Sequence, residues 1–115
     1  MGGIATLRRR PEFLAVAASG RKWAAPGLVL QIGAPRETPS PTRFGLTASS
    51  KVGNAVIRNR ARRRLRALAL DILTRHAAPA RDYVLIARAA TATRAFADLR
   101  QDLITALQKL GAWHE

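Results

Sequence analysis

The pattern of the chain predicts an α+β or α/β sandwich on a small sheet, ordered α, β, β, α, β, α, with one more short strand possible around Trp23. Three observations lead there. Short runs rich in Val, Leu, Ile and Tyr at residues 28–33 and 82–88 have the length and composition of strands. Two longer stretches carry apolar residues at steps of three and four, the period of an amphipathic helix. Glycine and proline separate these stretches, as they do at the ends of elements. With 115 residues, residues 1–115 are expected to form one domain with a core of its own.

Taken in order, residues 6–19 read as a short helix offering Phe13, Leu14, Val16 and Ala17 for packing, with Gly20 as its stop signal. Residues 28–33 are the first clear strand. Residues 34–42 carry Pro35, Pro39 and Pro41 and are expected to be a mobile loop. In residues 43–49, Phe44, Leu46 and Ala48 alternate with polar neighbours, as in a strand with one buried face. Asn54 can then cap a long helix whose apolar line is Ile57, Ala61, Leu65, Leu68 and Ile72. Residues 77–81 close it, since Pro79 cannot continue a helix. After the strand at 82–88, a last helix runs from about residue 93 to 110, with Phe96, Leu99, Leu103, Leu107 and Leu110 as its buried stripe.

The second helix carries the strongest functional signal. Arg58, Arg60, Arg62, Arg63, Arg64 and Arg66 place six positive charges within nine residues. Like charges at helical spacing repel by about a few tenths of a kcal/mol per pair, so such a segment makes sense opposite a polyanion. On a helical wheel Arg58, Arg62 and Arg66 follow one flank of the apolar line, Arg60 and Arg64 the other, and Arg63 points away from the core. Over the whole chain, Lys+Arg of 20 against Asp+Glu of 7 gives a net charge of +13, and only Lys22, Lys51 and Lys109 are lysines. Guanidinium forks grip phosphate oxygens two at a time and stack on bases, which an ammonium cannot do. Solubility alone needs far less charge. The expected partner is nucleic acid.

Other classes of function find little support. The chain has no cysteine, which excludes a disulfide scaffold and a zinc finger. No apolar run approaches the roughly 18–20 residues of a membrane span, and the first residues lack the apolar core of a secretory signal. A cytoplasmic protein with no membrane partner is expected. Catalysis needs convergent groups, but His76 and His114 sit at a helix end and in the tail, and the seven acidic residues are scattered. Asp98 and Asp102, one turn apart, read as the solvated face of the last helix. Neither a Walker loop nor GxGxxG is present. The chain alone is expected to supply no catalytic residue and to bind no metal.

Residues 43–66, RFGLTASSKVGNAVIRNRARRRLR, resemble the signature of the bacterial ribonuclease P protein subunit. The matching positions are Arg43, Gly45, Ser49, Lys51, Gly53, Asn54, Ala55, Val56, Arg58, Asn59 and Arg60. The resemblance extends over about residues 5–110, through the early LRRRPEF, the DYVLIAR strand and the last amphipathic helix. It implies a small mixed sheet sandwiched by helices, ordered α-β-β-β-α-β-α, with an unusual left-handed βαβ crossover through the basic helix. It also implies a subunit of an endoribonuclease whose RNA is the catalyst, requiring Mg²⁺ in the holoenzyme and removing the 5′ leader of precursor tRNA. Lys51, Asn54, Arg58, Asn59, Arg60, Arg62, Arg63 and Arg66 would then bind RNA near the cleavage site. A cleft of Phe13, Val16, Ala17, Gln31, Thr47 and Ser49 would hold the single-stranded leader. The sequence departs from the family pattern at Ala17 and Gln31, where members often carry aromatics, and at Ser50, where lysine is common. Phe13 is the main aromatic left for the cleft, with Trp23 and Trp113 as possible substitutes.

Leaders differ in sequence, so a protein serving all of them should grip backbone and stack on bases rather than read a code. The alternative is a structural RNA-binding protein of the ribosomal type, which explains the charge and the sheet but not the match at residues 51–60. A DNA-binding protein would place the basic helix in a major groove, and no dimerisation element accompanies it, so no DNA partner is expected.

Overall fold

The computed structural model describes residues 4–37 and 40–115. Residues 38 and 39, in the proline-rich segment expected to be mobile, lie outside the described residues. On its near side Arg36 is held: its N–H donates to Ala80 O at 2.8 Å, and its guanidinium reaches Asp82 and the Pro41 carbonyl.

The first helix starts later than its apolar residues suggest. Ala5–Thr6 form a short strand, β1, and helix α1 occupies Arg10–Ala18. Two features set that start. Pro11 lies in the first turn, where a missing N–H leaves nothing unpaired. Glu12 Oε1 accepts the N–H groups of both Arg8 and Arg9 at 2.9 Å, which satisfies donors ahead of the helix. Residues 5 and 6 pair with a sheet edge instead, which no pattern in two residues could announce. The helix ends before Gly20, whose φ of 74° stops it as expected.

The remaining strands are β2 (Arg21–Ala24), β3 (Leu28–Ile32), β4 (Arg43–Thr47) and β5 (Asp82–Ala87). They form one mixed sheet in the order β1-β4-β5-β3-β2. The β1–β4 and β4–β5 pairs are parallel, and the β5–β3 and β3–β2 pairs antiparallel. Helix α2 (Ala55–Leu68) is the crossover between the parallel neighbours β4 and β5. Asn54 caps it as expected, its Oδ1 accepting the Ile57 N–H at 3.0 Å. The helix runs on through a π-turn (Ala69–Leu73) and a last turn (Thr74–His76). The wide turn keeps Leu68, Ala69, Ile72 and Leu73 all buried at the end of a helix whose solvent face is cationic. Helix α3 (Phe96–Lys109) begins after a 3₁₀ turn at Ala89–Ala92, at the first residue of its apolar stripe and three residues later than the expected start near residue 93.

Alternation along β5 divides the sheet into two faces. Tyr83, Leu85 and Ala87 meet Leu65, Leu68 and Ile72 of α2 and Leu99, Leu103 and Leu107 of α3 in the main core. Val84 and Ile86 point the other way, toward Leu7, Phe13 and Val16. A fully buried leucine contributes about 1.5–3 kcal/mol, so most of the stabilisation lies on the α2–α3 side. The α1 side is thinly covered, and that leaves sheet surface open for a ligand.

Three expectations about the helices change. Ile57, placed first in the apolar line of α2, is 38% exposed because the helix start projects beyond the core, whereas Ala61, Leu65, Leu68 and Ile72 are fully buried. Phe96, first in the α3 stripe, is 44% exposed with the Arg64 guanidinium 5.7 Å over its ring. Asp102 is buried rather than solvated. Its Oδ2 accepts the Gly27 N–H at 2.9 Å and Arg94 Nε–H at 2.7 Å, which pins the β2–β3 turn to α3. Gly27 is needed there, since a Cβ would stand 2.4 Å from Leu99 and 2.6 Å from Asp102 Oδ2.

Candidate nucleic-acid interface

The thinly covered face of the sheet holds a cleft of about 460 Å³ between α1 and strands β3, β4 and β5. Phe13 and Ala17 line it from α1, Gln31 from β3, Thr47 and Ser49 from β4 and its end, and Arg62 from α2. Five of the six residues expected in a cleft are therefore brought together there. The sixth, Val16, is 2% exposed and packs with Leu7 and Val84 beneath it, because the helical turn that presents Phe13 and Ala17 directs Val16 into the sheet. Arg10, Leu14, Leu46, Val84 and Ile86 also line the cleft. The sequence did not assign these to the cleft: Leu14 and Leu46 read as packing residues, and which member of Arg8–Arg9–Arg10 meets the cleft depends on where α1 begins.

The Phe13 ring packs closely on β4 because residue 45 has no side chain. A Cβ at Gly45 would stand 2.5 and 2.6 Å from Phe13 Cε1 and Cζ. A rigid ring cannot yield there without leaving its place. Gly45→Ala is expected to displace Phe13, to destabilise the fold by about 1–3 kcal/mol, and to weaken binding of single-stranded RNA. Thermal melting with titration of a labelled single strand checks both effects. Undiminished affinity in a folded Gly45→Ala protein would remove Phe13 from the interface.

The cleft opens onto the basic helix. A smaller hollow of about 200 Å³ shares Phe13, Leu46 and Arg62 with it and adds Arg66. Beyond it, Val56, Asn59, Arg62, Arg63 and Arg66 surround a shallow basin on the solvent side of α2. Arg62 joins all three. Its guanidinium donates to Ala48 O and to Asn59 Oδ1, both at 3.3 Å, which holds it at the junction of helix and strand. Asn59 thus orients Arg62 while remaining exposed. Lys51 lies exposed in a 3₁₀ turn at Ser50–Val52, ahead of α2. Arg58 is half-buried, and its Nε has no hydrogen-bond partner among the described residues.

The opposite flank of α2 is used internally. Arg60 Nε donates to Ala92 O at 2.7 Å, and Arg64 donates to Thr91 O at 2.6 Å and Arg94 O at 2.5 Å. These bonds supply carbonyl partners around the 3₁₀ turn. Burial, and then the neighbouring Arg60, push the Arg64 guanidinium below its ordinary pKa. Arg21, Arg81 and Arg88 likewise donate to Leu110 O, Gly33 O and Ala25 O. Part of the high charge therefore holds the fold together. The flank with Arg62 and Arg66 faces the cleft, so the two flanks of one arginine-rich helix do different work.

Trp23 and Trp113 do not reach the cleft. Trp23, on the edge strand β2, has Lys109 Nζ 5.8 Å over its ring, and Trp113 stacks on His76 at 4.3 Å. Among the described residues no group of three or more His, Asp and Glu side chains could hold a metal ion, and no helix is long and apolar enough to cross a membrane.

Comparison with known proteins gives consistent results. A family model described as Ribonuclease P matches residues 1–111. The Ribonuclease P protein component of Paramagnetospirillum magneticum is 49% identical over 109 residues, spanning 92% of this chain and 82% of that one. The Ribonuclease P protein component of Gluconacetobacter diazotrophicus is 48% identical over 106 residues, spanning 91% and 90%. The fold is similar to that of the Staphylococcus aureus RNase P protein, with a TM-score of 0.78 at 22% identity over 95% of this chain and 97% of that one. For the RNase P protein of Thermotoga maritima the TM-score is 0.72 at 22% identity, over 87% and 92%.

Proposed function

The chain belongs to the bacterial ribonuclease P protein family, a subunit of the endoribonuclease that matures tRNA 5′ ends with an RNA partner, and we propose how its surfaces divide that work. The cleft between α1 and the sheet holds the single-stranded 5′ leader of precursor tRNA. The α2 surface of Arg58, Asn59, Arg62, Arg63 and Arg66, with Lys51 and Asn54 at its start, meets the catalytic RNA and the substrate beside the scissile bond. Arg60, on the opposite flank, adds its charge to the field of the helix while its Nε stays on Ala92 O. The observation that carries this reading is the position of Arg62, which lines both the cleft and the basic basin. One guanidinium at the junction lets a strand leaving the cleft pass directly onto the cationic helix.

The protein's part in the reaction is then binding and positioning. Bond cleavage and the magnesium ions it requires are assigned to the RNA. Arginines on α2 replace counterions between two polyanions, which lowers their mutual repulsion and the magnesium needed to bring them together. An apolar floor with one aromatic ring accepts bases without hydrogen-bond readout, as a subunit serving many leaders requires. The site of action is the cytoplasm. Cleavage of a leader-bearing precursor tRNA by ribonuclease P RNA at low magnesium, with and without this protein, tests the reading. Accurate 5′ cutting restored by the protein, which cuts nothing without the RNA, is the expected result. Tight RNA binding without rescue would leave a structural RNA-binding role and overturn it.

A further inference from the structure

The cleft has few aromatic groups and well-placed cations. Of the twelve residues that line it, Phe13 is the one aromatic, and Arg10 and Arg62 are the two cations. Leu46, Val84 and Ile86 are aliphatic. Bases stack on aromatic platforms, and here one ring offers such a platform. Arg10 enters from the first turn of α1 and Arg62 from α2, so the charges come from different elements. Arg10 is exposed and has no hydrogen-bond or ion-pair partner among the described residues. Its neighbours Arg8 and Arg9 lend their backbone N–H groups to Glu12 and do not line the cleft. A free guanidinium at the mouth of an apolar groove is suited to a phosphate of a strand whose bases lie on the groove floor.

We propose that Arg10 is a leader-binding residue that grips a backbone phosphate, so that with Arg62 it holds the leader by its phosphodiester backbone at two points. This inference rests on the reading of the cleft as the leader site. It makes leader binding in this chain strongly salt-dependent and tolerant of leader sequence, since phosphates carry no code.

The test uses the reconstituted holoenzyme and two precursor tRNAs, one with a single-nucleotide leader and one with a leader long enough to cross the cleft. The quantity read is the ratio of their affinities, measured over a range of salt. Arg10→Gln is expected to lower the ratio about fivefold and to reduce the salt slope for the long leader by about 0.7, the value for one phosphate contact on a single strand. Arg10→Lys should retain most of the ratio. Arg9→Gln removes the same charge one residue away and should have little effect. An unchanged ratio in Arg10→Gln, where the original protein shows a clear leader dependence, overturns the role of Arg10 and leaves the cleft reading standing. An equal loss in Arg9→Gln overturns it as well, by showing a general field rather than a contact. No leader dependence in the original protein would overturn both the cleft reading and the role of Arg10.

Discussion

Replacing Arg58, Arg62 and Arg66 together with alanine is expected to weaken binding to ribonuclease P RNA about a hundredfold at physiological salt and to lower the log–log salt slope by about 2–3. All three flank the buried line of α2 without belonging to it: Ala61, Leu65 and Leu68 fill the core, while Arg62 and Arg66 line the hollows beside the cleft. Each lost phosphate contact removes about 0.7–0.9 from the slope. The fold should persist, because among the described residues the bonds lost with Arg62 are the 3.3 Å contacts to Ala48 O and Asn59 Oδ1, and Arg58 Nε has no partner there. Binding titrations at several salt concentrations, with melting curves to verify folding, check both statements. The companion substitution of Arg60 and Arg64 should do the reverse, costing stability through the bonds at Ala92, Thr91 and Arg94. Unchanged affinity and slope in the triple substitution would remove that flank from the interface.

The largest effect on stability is expected at Asp82. This carboxylate is 8% exposed at the start of β5. It accepts Arg43 Nε–H at 2.8 Å and Arg43 NH2 at 2.7 Å, a bidentate pair, and also the guanidinium of Arg36. Arg43 reaches on to Glu12 Oε2 at 2.9 Å, so one network joins α1, β4, β5 and the segment before β4. Asp82→Ala leaves two partly buried guanidinium groups facing each other. Breaking a buried pair costs about 3–5 kcal/mol; with arginines partly open to water, about 2–4 kcal/mol and roughly 10–20 °C in Tm are expected. Burial pushes the Asp82 pKa up, but hydrogen bonds and charge from Arg43 and Arg36 outweigh it, and the net shift is downward. Glu12 shifts downward too, first through the N–H groups of Arg9 and Arg8. A carboxylate depressed in the folded state contributes its full stabilisation above its unfolded pKa of about 3.9–4.3, and loses it as pH falls through the folded value. Acid unfolding should therefore steepen below about pH 4, and Asp82→Ala should flatten that limb. Melting curves from pH 2 to pH 7 measure both. A Tm unchanged by Asp82→Ala would show that the network does not stabilise the fold.

What the sequence made legible follows from how local each signal is. The line Ala61–Leu65–Leu68–Ile72, the Asn54 cap and the stop at Gly20 depend on residues within a few positions of one another, and all are found in the structure. The cleft residues Phe13, Ala17, Gln31, Thr47 and Ser49 come from separate elements, and only the family resemblance grouped them before the sheet order was known. Features depending on distant partners were not legible. Asp102 reads as a surface residue of an amphipathic helix until Gly27 and Arg94 are seen beside it. Arg64 looks like one more solvated charge until the carbonyls of Thr91 and Arg94 are found at its tip. The two-residue strand Ala5–Thr6 exists only because the edge of β4 is there to pair with.

The proposed place of the precursor tRNA leader, in the cleft between α1 and the sheet, can be tested by a tethered probe. The chain has no cysteine, so a single introduced one carries a probe to one known place. A chelated iron that cuts nearby backbone, tethered to Thr47→Cys inside the cleft, should cleave leader nucleotides in the assembled holoenzyme–substrate complex. The same probe on Gln108→Cys, exposed on α3 at the other face of the sheet, should leave the leader intact. Leader cleavage from position 108 but not from position 47 would contradict the assignment of the cleft directly.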